Sequence, residues 1–248
     1  MRIGMIHQPH FLPWPGYVAR CVSADVFIVL DNVKFNKNQY QQRTRYIDID
    51  GRERWLGLPI THSTLSEHIS NIRIAGTHNW TRWQGAFKHA YTHTPYFKQI
   101  WSDIYALIQQ ESPVLLNVNR FTLQYIINLI CDAHNKDVPE FVLASSLHVS
   151  SERTQRLIEI CSKKEITHLI MGEYALNSHD NMRLQESGIS LVRHTYKGTP
   201  DRAPLPGITI LHDLFLLGRN AVAEQLYNSW HIESLDNGSD NFQRGKSK

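Results

Sequence analysis

The stretch IGMIHQPHFLPWPGYVARCVSADVFIVLD, residues 3–31, decides the fold because it alternates a strand, a helix and a second strand. Residues 3–6 and 25–31 are apolar runs of strand length, and residues 17–24 between them have the pattern of a short helix. Two continuous apolar strands joined by a helix form a βαβ unit, and such strands belong to a parallel sheet covered on both faces. The stretch therefore predicts an α/β protein.

The rest of the chain extends this pattern around a helical middle. We predict a hairpin over residues 45–60 that turns at Asp50-Gly51, strands at 69–74, 141–144, 167–171 and 189–194, and helices at 80–91, 96–109, 113–134, 150–164 and 211–230. Alternating strands and helices at both ends favour a single α/β domain over residues 1–232 with a helical insertion at about 78–136. The polar segment 233–248 is predicted to be a disordered tail.

Composition excludes several classes of protein. The 248 residues carry a formal charge of +3, which is too mild to indicate nucleic acid but compatible with small anionic ligands. The three cysteines form no CxxC pair, which favours buried thiols in a reducing compartment. No apolar run is long enough to span a membrane, and polar residues within the first ten positions interrupt the apolar stretch that a signal peptide would need. We therefore expect a soluble cytoplasmic protein.

Polar side chains follow the predicted strands at their carboxyl ends, where open α/β sheets bind ligands. These residues are His7, Gln8, His10, Asp31, Lys34, Gly172, Glu173 and His194. We predict that they form one cleft with Tyr17, with the helix that starts near Gly16 adding its free N–H groups. The candidate catalytic residues are His7, His10 and Asp31. The alternative is a proline-stiffened turn whose histidines only bond backbone carbonyls.

The segment KFNKNQYQQRTR, residues 34–45, is the densest basic stretch near the second strand. Lys34, Arg43 and Arg45 would bind an anionic ligand such as a diphosphate, and a solvated hairpin is an equally acceptable interpretation. No metal site is predicted, because His89 and His93 lack a third ligand at a suitable spacing. The chain has no GxGxxG, P-loop or GxSxG motif.

A longer segment carries a family resemblance. IHQPHFLPWPGYVARCVSADVFIVLDNVKFNKNQYQQRTRY, residues 6–46, resembles the opening of the WbqC-like family of bacterial O-antigen and related polysaccharide gene clusters. ITHLIMGEYA, LQESGI and ITILHDLFLLG extend the resemblance over most of the chain. It implies a sugar-modifying transfer, including the transfer of an aminoacyl group such as glycyl to an amino sugar.

The same opening is also similar to HxGH nucleotidyltransferase-like enzymes such as pantothenate synthetase, although the motif itself is absent. This similarity implies a nucleotidyltransferase-like (HUP-type) sheet and an acyl-adenylate route that uses ATP with Mg²⁺. Without the similarity, the residues do not indicate a cofactor.

The resemblances together imply that the ligands are a nucleotide-linked amino sugar and an acyl or aminoacyl donor. The only nucleic acid expected is an aminoacyl-tRNA as donor. The alternative function is non-catalytic binding of a nucleotide sugar or of a partner protein in the same pathway.

Overall fold

The computed structural model describes residues 1–64, 67–76, 78–109, 114–172, 180–198 and 207–235, and within these ranges the protein is α/β. Six strands form one sheet, in the order β5 (Glu140–Leu143), β2 (Val26–Val29), β1 (Ile3–His7), β6 (His168–Met171), β7 (Ser190–Tyr196) and β8 (Trp230–Ser234). Neighbouring strands are parallel except β8, which is antiparallel to β7. The strands β3 (Arg43–Ile47) and β4 (Glu53–Gly57) form a separate antiparallel hairpin.

The order of the six strands creates a switch point between β1 and β6. Numbered along the chain within this sheet, the strands lie in the order 3-2-1-4-5-6, which is the order of doubly wound folds. The chain winds outward from β1 in one direction and from β6 in the other. In such folds ligands bind at the carboxyl ends of the two strands that flank the switch point. The HUP-type subclass stays a prediction.

Helices cover both faces of the sheet, as the apolar strands predict. They are α1 (Pro15–Ser23), α2 (His78–Tyr91), α3 (Phe97–Gln109), α4 (Leu115–Ala133), α5 (Arg153–Lys163), α6 (Asn181–Glu186) and α7 (Ile210–Asn228), the last interrupted at Gly218. Successive side chains of a strand point to opposite faces. Phe27 and Val29 therefore join the core that includes α1, α4 and α7, and Val26 and Ile28 join the core beneath α5 and α6. None of the helices within the described ranges is long and apolar enough to cross a membrane.

The predicted strand at residues 69–74 is wrong. Ile69–Asn71 is a 3-10 helix, and Ile69 and Ile72 are both fully buried. Their spacing of three places both side chains on one face of a 3-10 turn, whereas a strand would place them on opposite faces. Only isolated bridges remain beyond this turn, between Arg73 and Val114 and between Ile74 and Ile60.

The chain does not leave the sheet at residue 232. Trp230 and Ile232 are buried on one face of β8, and Glu233, which was assigned to the tail, pairs with Arg193 of β7 at 3.1 Å. The alternation of apolar and polar residues is that of a half-buried edge strand. Residues 236–248, the remainder of the predicted tail, lie outside the described residues.

Candidate functional site

A cavity of about 500 Å³ lies at the carboxyl ends of β1 and β6, the two strands at the switch point. Its described lining consists of Met5, Ile6, His7, Gln8, Arg20, Leu30, Val33, Arg153, Arg156, Leu157, Leu169, Ile170, Met171 and Gly172. Three arginines belong to this lining and no carboxylate does. Because arginine side chains in a partly enclosed, low-dielectric site attract anions, the cavity suits a phosphate-bearing or carboxylate-bearing ligand.

Arg20 lines the cavity beside the end of β6. It lies one helical turn after Gly16 on α1, and its Nε donates to the Gly16 carbonyl oxygen at 3.3 Å. A Cβ added at Gly172, at the end of β6, would lie 3.4 Å from its Nη1. No carboxylate within the described ranges forms an ion pair with Arg20. Burial lowers the pKa of the guanidinium, but arginine remains charged at any physiological pH.

Helix α5 supplies the other two cations. Arg156 is held in place by backbone carbonyls, with its Nε 3.1 Å from the oxygen of Ser150 and its Nη2 2.7 Å from that of Ser151. The side chain of Glu152 accepts hydrogen bonds from the backbone N–H groups of Thr154 and Gln155. Because Glu152 already caps this helix, Arg153 and Arg156, rather than free helix amides, provide its positive charge to the cavity.

The charge of Arg20 acts on three histidines, His7, His10 and His194. Burial and the charge of Arg20 lower the pKa of His7 to about 4, against the smaller opposite effect of its hydrogen bond to Gln8. Burial also lowers the pKa of His10 well below its usual range and that of His194 to about 3, with the charge of Arg20 contributing in both cases. The imidazoles are therefore neutral at pH 7, so the positive charge of the site comes from arginine and not from histidine.

The tautomer of His7 follows from its hydrogen bond. Its Nδ1 lies 2.9 Å from the backbone oxygen of Gln8, and a carbonyl oxygen can only accept, so Nδ1 carries the proton. Nε2 of the neutral ring is then an acceptor. The Tyr17 hydroxyl donates to the same Gln8 oxygen at 2.8 Å. Tyr17 is fully buried and stacks on the His10 ring at 4.5 Å, so it supports the histidines and is not part of the described lining of the cavity.

The structure places Asp31 at the predicted edge of the sheet but outside the described lining of the cavity. Its carboxylate is buried and accepts from the Ser145 backbone N–H at 2.9 Å and from the Ser145 hydroxyl at 2.6 Å. This pairing ties the end of β2 to the short 3-10 helix after β5. A catalytic role for Asp31 stays a prediction; the observed contacts are those of a capping residue.

The basic segment does not contribute to the described lining of the cavity. Lys34 is exposed. The Arg43 guanidinium stacks 3.9 Å from the centroid of the Trp55 ring. Arg45 pairs with Glu53 at 2.6 Å. These contacts stabilise the β3–β4 hairpin, so a part for the three residues in ligand binding stays a prediction.

Gly16 and Gly172 have different surroundings. A Cβ at Gly16 would overlap the Trp14 ring, so this glycine allows the tryptophan to fold back over the start of α1. Gly172 lines the cavity directly after β6. Glu173 lies outside the described residues.

Of the predicted site residues, the cavity thus brings together His7, Gln8 and Gly172, with His10 beside His7 at a ring distance of 5.0 Å. The sequence analysis missed the three arginines. A signal for two of them was present, because Arg153 and Arg156 stand three residues apart at the start of a predicted helix and therefore share a face. Arg20 has no comparable partner within its own helix.

Replacing Asp31 with alanine should lower the free energy of unfolding by about 2–3 kcal/mol, because the backbone N–H and the hydroxyl of Ser145 would both lose the carboxylate that accepts their hydrogen bonds. Urea unfolding measures this loss. Ser145→Ala, which removes only the hydroxyl, should cost about 1 kcal/mol. Unchanged stability in Asp31→Ala, together with loss of catalytic turnover, would instead support the predicted catalytic role.

Comparison with known proteins agrees with the resemblance carried by residues 6–46. Residues 8–224 match the model of the WbqC-like protein family. The chain is 26% identical over 229 residues to the uncharacterized protein Rv1507c of Mycobacterium tuberculosis, a match that covers 87% of this chain and 94% of the relative. No solved structure matches significantly. The protein belongs to the WbqC-like family.

Proposed function

We propose that the protein binds a nucleotide-linked amino sugar in the switch-point cavity and transfers an acyl or aminoacyl group, such as glycyl, to its amine. Membership of the family associates the chain with polysaccharide gene clusters, and the proposed reaction would modify a sugar of a bacterial surface polysaccharide such as O-antigen. The observation that carries the proposal is the set of three arginines in a cavity whose described lining holds no carboxylate.

The arginines suit the diphosphate of a nucleotide sugar. A guanidinium offers several N–H donors in a planar arrangement that matches two phosphate oxygens at once. Arg20 has no carboxylate partner in the described part of the chain, and Arg156 bonds only neutral backbone carbonyls there. Their positive charges are therefore not neutralised by the described protein groups, and a diphosphate would supply the balancing charge.

His7 suits the acceptor end of the reaction. Acyl transfer forms a bond between the sugar nitrogen and the acyl carbon, breaks the bond from that carbon to its leaving group, and releases one proton from the amine. Nε2 of His7 has a lone pair that accepts a hydrogen bond from the amine and can pass the proton to the leaving group. The neutral imidazole also avoids repelling an amine that arrives as an ammonium cation, which loses one proton to solvent before its nitrogen attacks.

The donor determines whether ATP is needed. A free carboxylate must first be activated, which in the adenylate route consumes ATP with Mg²⁺ and releases pyrophosphate. A thioester or an aminoacyl-tRNA is already activated. We expect amide formation on a nucleotide-linked amino sugar, detected by mass spectrometry, with one of these donor classes. Release of pyrophosphate and AMP that requires both ATP and the free carboxylate donor would support the adenylate route.

The second candidate is non-catalytic binding of a nucleotide sugar or of a partner protein. It is favoured by two observations: the Asp31 carboxylate bonds Ser145, and the described lining of the cavity contains no acidic side chain. Thermal shift separates binding from its absence, because a ligand at 100 times its dissociation constant stabilises a protein by about 2.7 kcal/mol. Stabilisation by the amino-sugar nucleotide without turnover by any donor class would favour this candidate over the transferase.

A further inference from the structure

Gln41 is a buried amide whose orientation is fixed by the backbone. Its side chain is 1% exposed. Its Oε1 accepts a hydrogen bond from the backbone N–H of Asn36 at 3.1 Å. A backbone N–H can only donate, so the amide end that faces Asn36 must be the oxygen. The Nε2 group of Gln41 therefore points the other way.

This fixed orientation is passed on to Gln8, which lines the cavity. Nε2 of Gln41 donates to Oε1 of Gln8 at 2.6 Å. The oxygen of the Gln8 amide is thus engaged by Gln41, and the Nε2 of Gln8 keeps two hydrogens to donate. Gln8 behaves here as a donor, although an isolated glutamine could present either end of its amide.

We propose that Gln41 is a positioning residue that orients the Gln8 amide so that Gln8 donates a hydrogen bond to an oxygen atom of the ligand. The inference rests on the cavity of the proposed function and deepens it. With Gln8 so oriented, its side chain and those of Arg20, Arg153 and Arg156 all act as donors. Nε2 of His7 is then the acceptor among the described side chains of the cavity. The sugar amine, which donates, therefore faces His7. The phosphate or carbonyl oxygens of the ligand, which accept, face Gln8 and the arginines.

Pyrophosphate is a suitable probe because it offers only acceptor oxygens and needs no knowledge of the base or sugar. Gln8→Glu keeps the acceptor for Gln41 but replaces the cavity-facing NH₂ by an anionic oxygen. We expect this variant to weaken pyrophosphate binding about 30-fold in calorimetry. Gln8→Met, which removes only the donor, should weaken it about 5-fold to 10-fold.

The positioning role is tested at Gln41 with a matched control at Gln42. Gln42 is also a buried amide held at both ends, with Oε1 accepting from the Asn38 N–H and Nε2 donating to the Leu58 oxygen, each at 3.2 Å. Neither of these side-chain hydrogen bonds involves Gln8. Gln41→Met should weaken pyrophosphate binding about 3-fold to 5-fold, because the Gln8 amide can then rotate, whereas Gln42→Met should leave the affinity unchanged at a comparable loss of stability.

Side-chain amide signals in ¹⁵N NMR provide a readout without ligand. The Gln41 NH₂ hydrogens should exchange slowly with water because they are buried and bonded to Gln8. Gln41→Met should shift and broaden the Gln8 amide signals, whereas Gln42→Met should not.

Three results would overturn the proposal: no pyrophosphate binding by the unmodified protein, equal affinities in Gln8→Glu and the unmodified protein, or equal affinity losses in Gln41→Met and Gln42→Met. Loss of pyrophosphate binding in Gln8→Glu alongside the absence of any acyl transfer would support this inference while rejecting the proposed transferase. Acyl transfer that is unaffected in Gln8→Glu would support the proposed transferase and reject this inference about Gln8.

Discussion

Replacing Arg20 with methionine is expected to weaken binding of a nucleotide-linked amino sugar by between about 10-fold and 100-fold, the range for losing a charged hydrogen bond to phosphate. The melting temperature should stay the same or rise. Arg20 forms no ion pair with a carboxylate in the described ranges, and burial lowers the pKa of its guanidinium, so folding bears the cost of desolvating this charge without a compensating pair. An apolar side chain of similar length removes that cost.

Arg219 provides the control for this experiment. It is an exposed arginine of α7 that pairs with Asp132 at 3.1 Å, and Arg219→Met should leave the affinity for the nucleotide sugar unchanged. Isothermal calorimetry and a melting curve on both variants make the comparison. If Arg20→Met lowered both the melting temperature and the affinity, Arg20 would be a structural residue, and its proposed role in binding the diphosphate would be contradicted.

Lowering the pH from 7 to 5 is expected to reduce the free energy of unfolding by several kcal/mol. His7 and His194 have folded-state pKa values of about 4 and about 3, below the value of about 6.5 in an unfolded chain. As the pH falls through 6.5, the unfolded chain takes up protons that the folded protein cannot accept, so stability decreases. Each such histidine contributes about 2 kcal/mol by pH 5, and His10, whose pKa is also lowered, adds to the effect.

The loss attributed to His7 ends near pH 4, because the folded protein then also takes up that proton. Most carboxylates titrate below this window, so the interval from pH 7 to pH 5 isolates the histidines. His7→Gln should make the dependence of stability on pH shallower by about 2 kcal/mol over this interval, while between pH 7 and 8 the two curves should run in parallel. Denaturant unfolding at a series of pH values provides the measurement. An unchanged slope in His7→Gln would show that His7 is solvated and protonates normally in the folded state.

The sequence predicted the strands correctly where the spacing of apolar residues along the chain matches the side chains that are buried in the structure. The apolar runs at residues 3–6 and 25–31 correspond to β1 and β2, which are parallel and adjacent, because a strand covered on both faces requires apolar side chains at every position. The prediction failed at residues 69–74, where the spacing of Ile69 and Ile72 suits a 3-10 turn. It also ended the sheet too early, since β8 depends on pairing with β7, more than thirty residues upstream.

The sequence by itself determined that polar side chains follow β1 at the carboxyl edge of a parallel sheet, because the chain direction of a βαβ unit leaves no other edge for them. It did not determine which polar side chains share the cavity. Arg20 on α1 and Arg156 on α5 lie far apart in sequence and meet only because the two helices flank the same switch point. The tertiary structure also decided that Asp31 is paired with Ser145, and that the Gln8 amide presents its donor, because hydrogen bonds between distant segments depend on packing that no local pattern encodes.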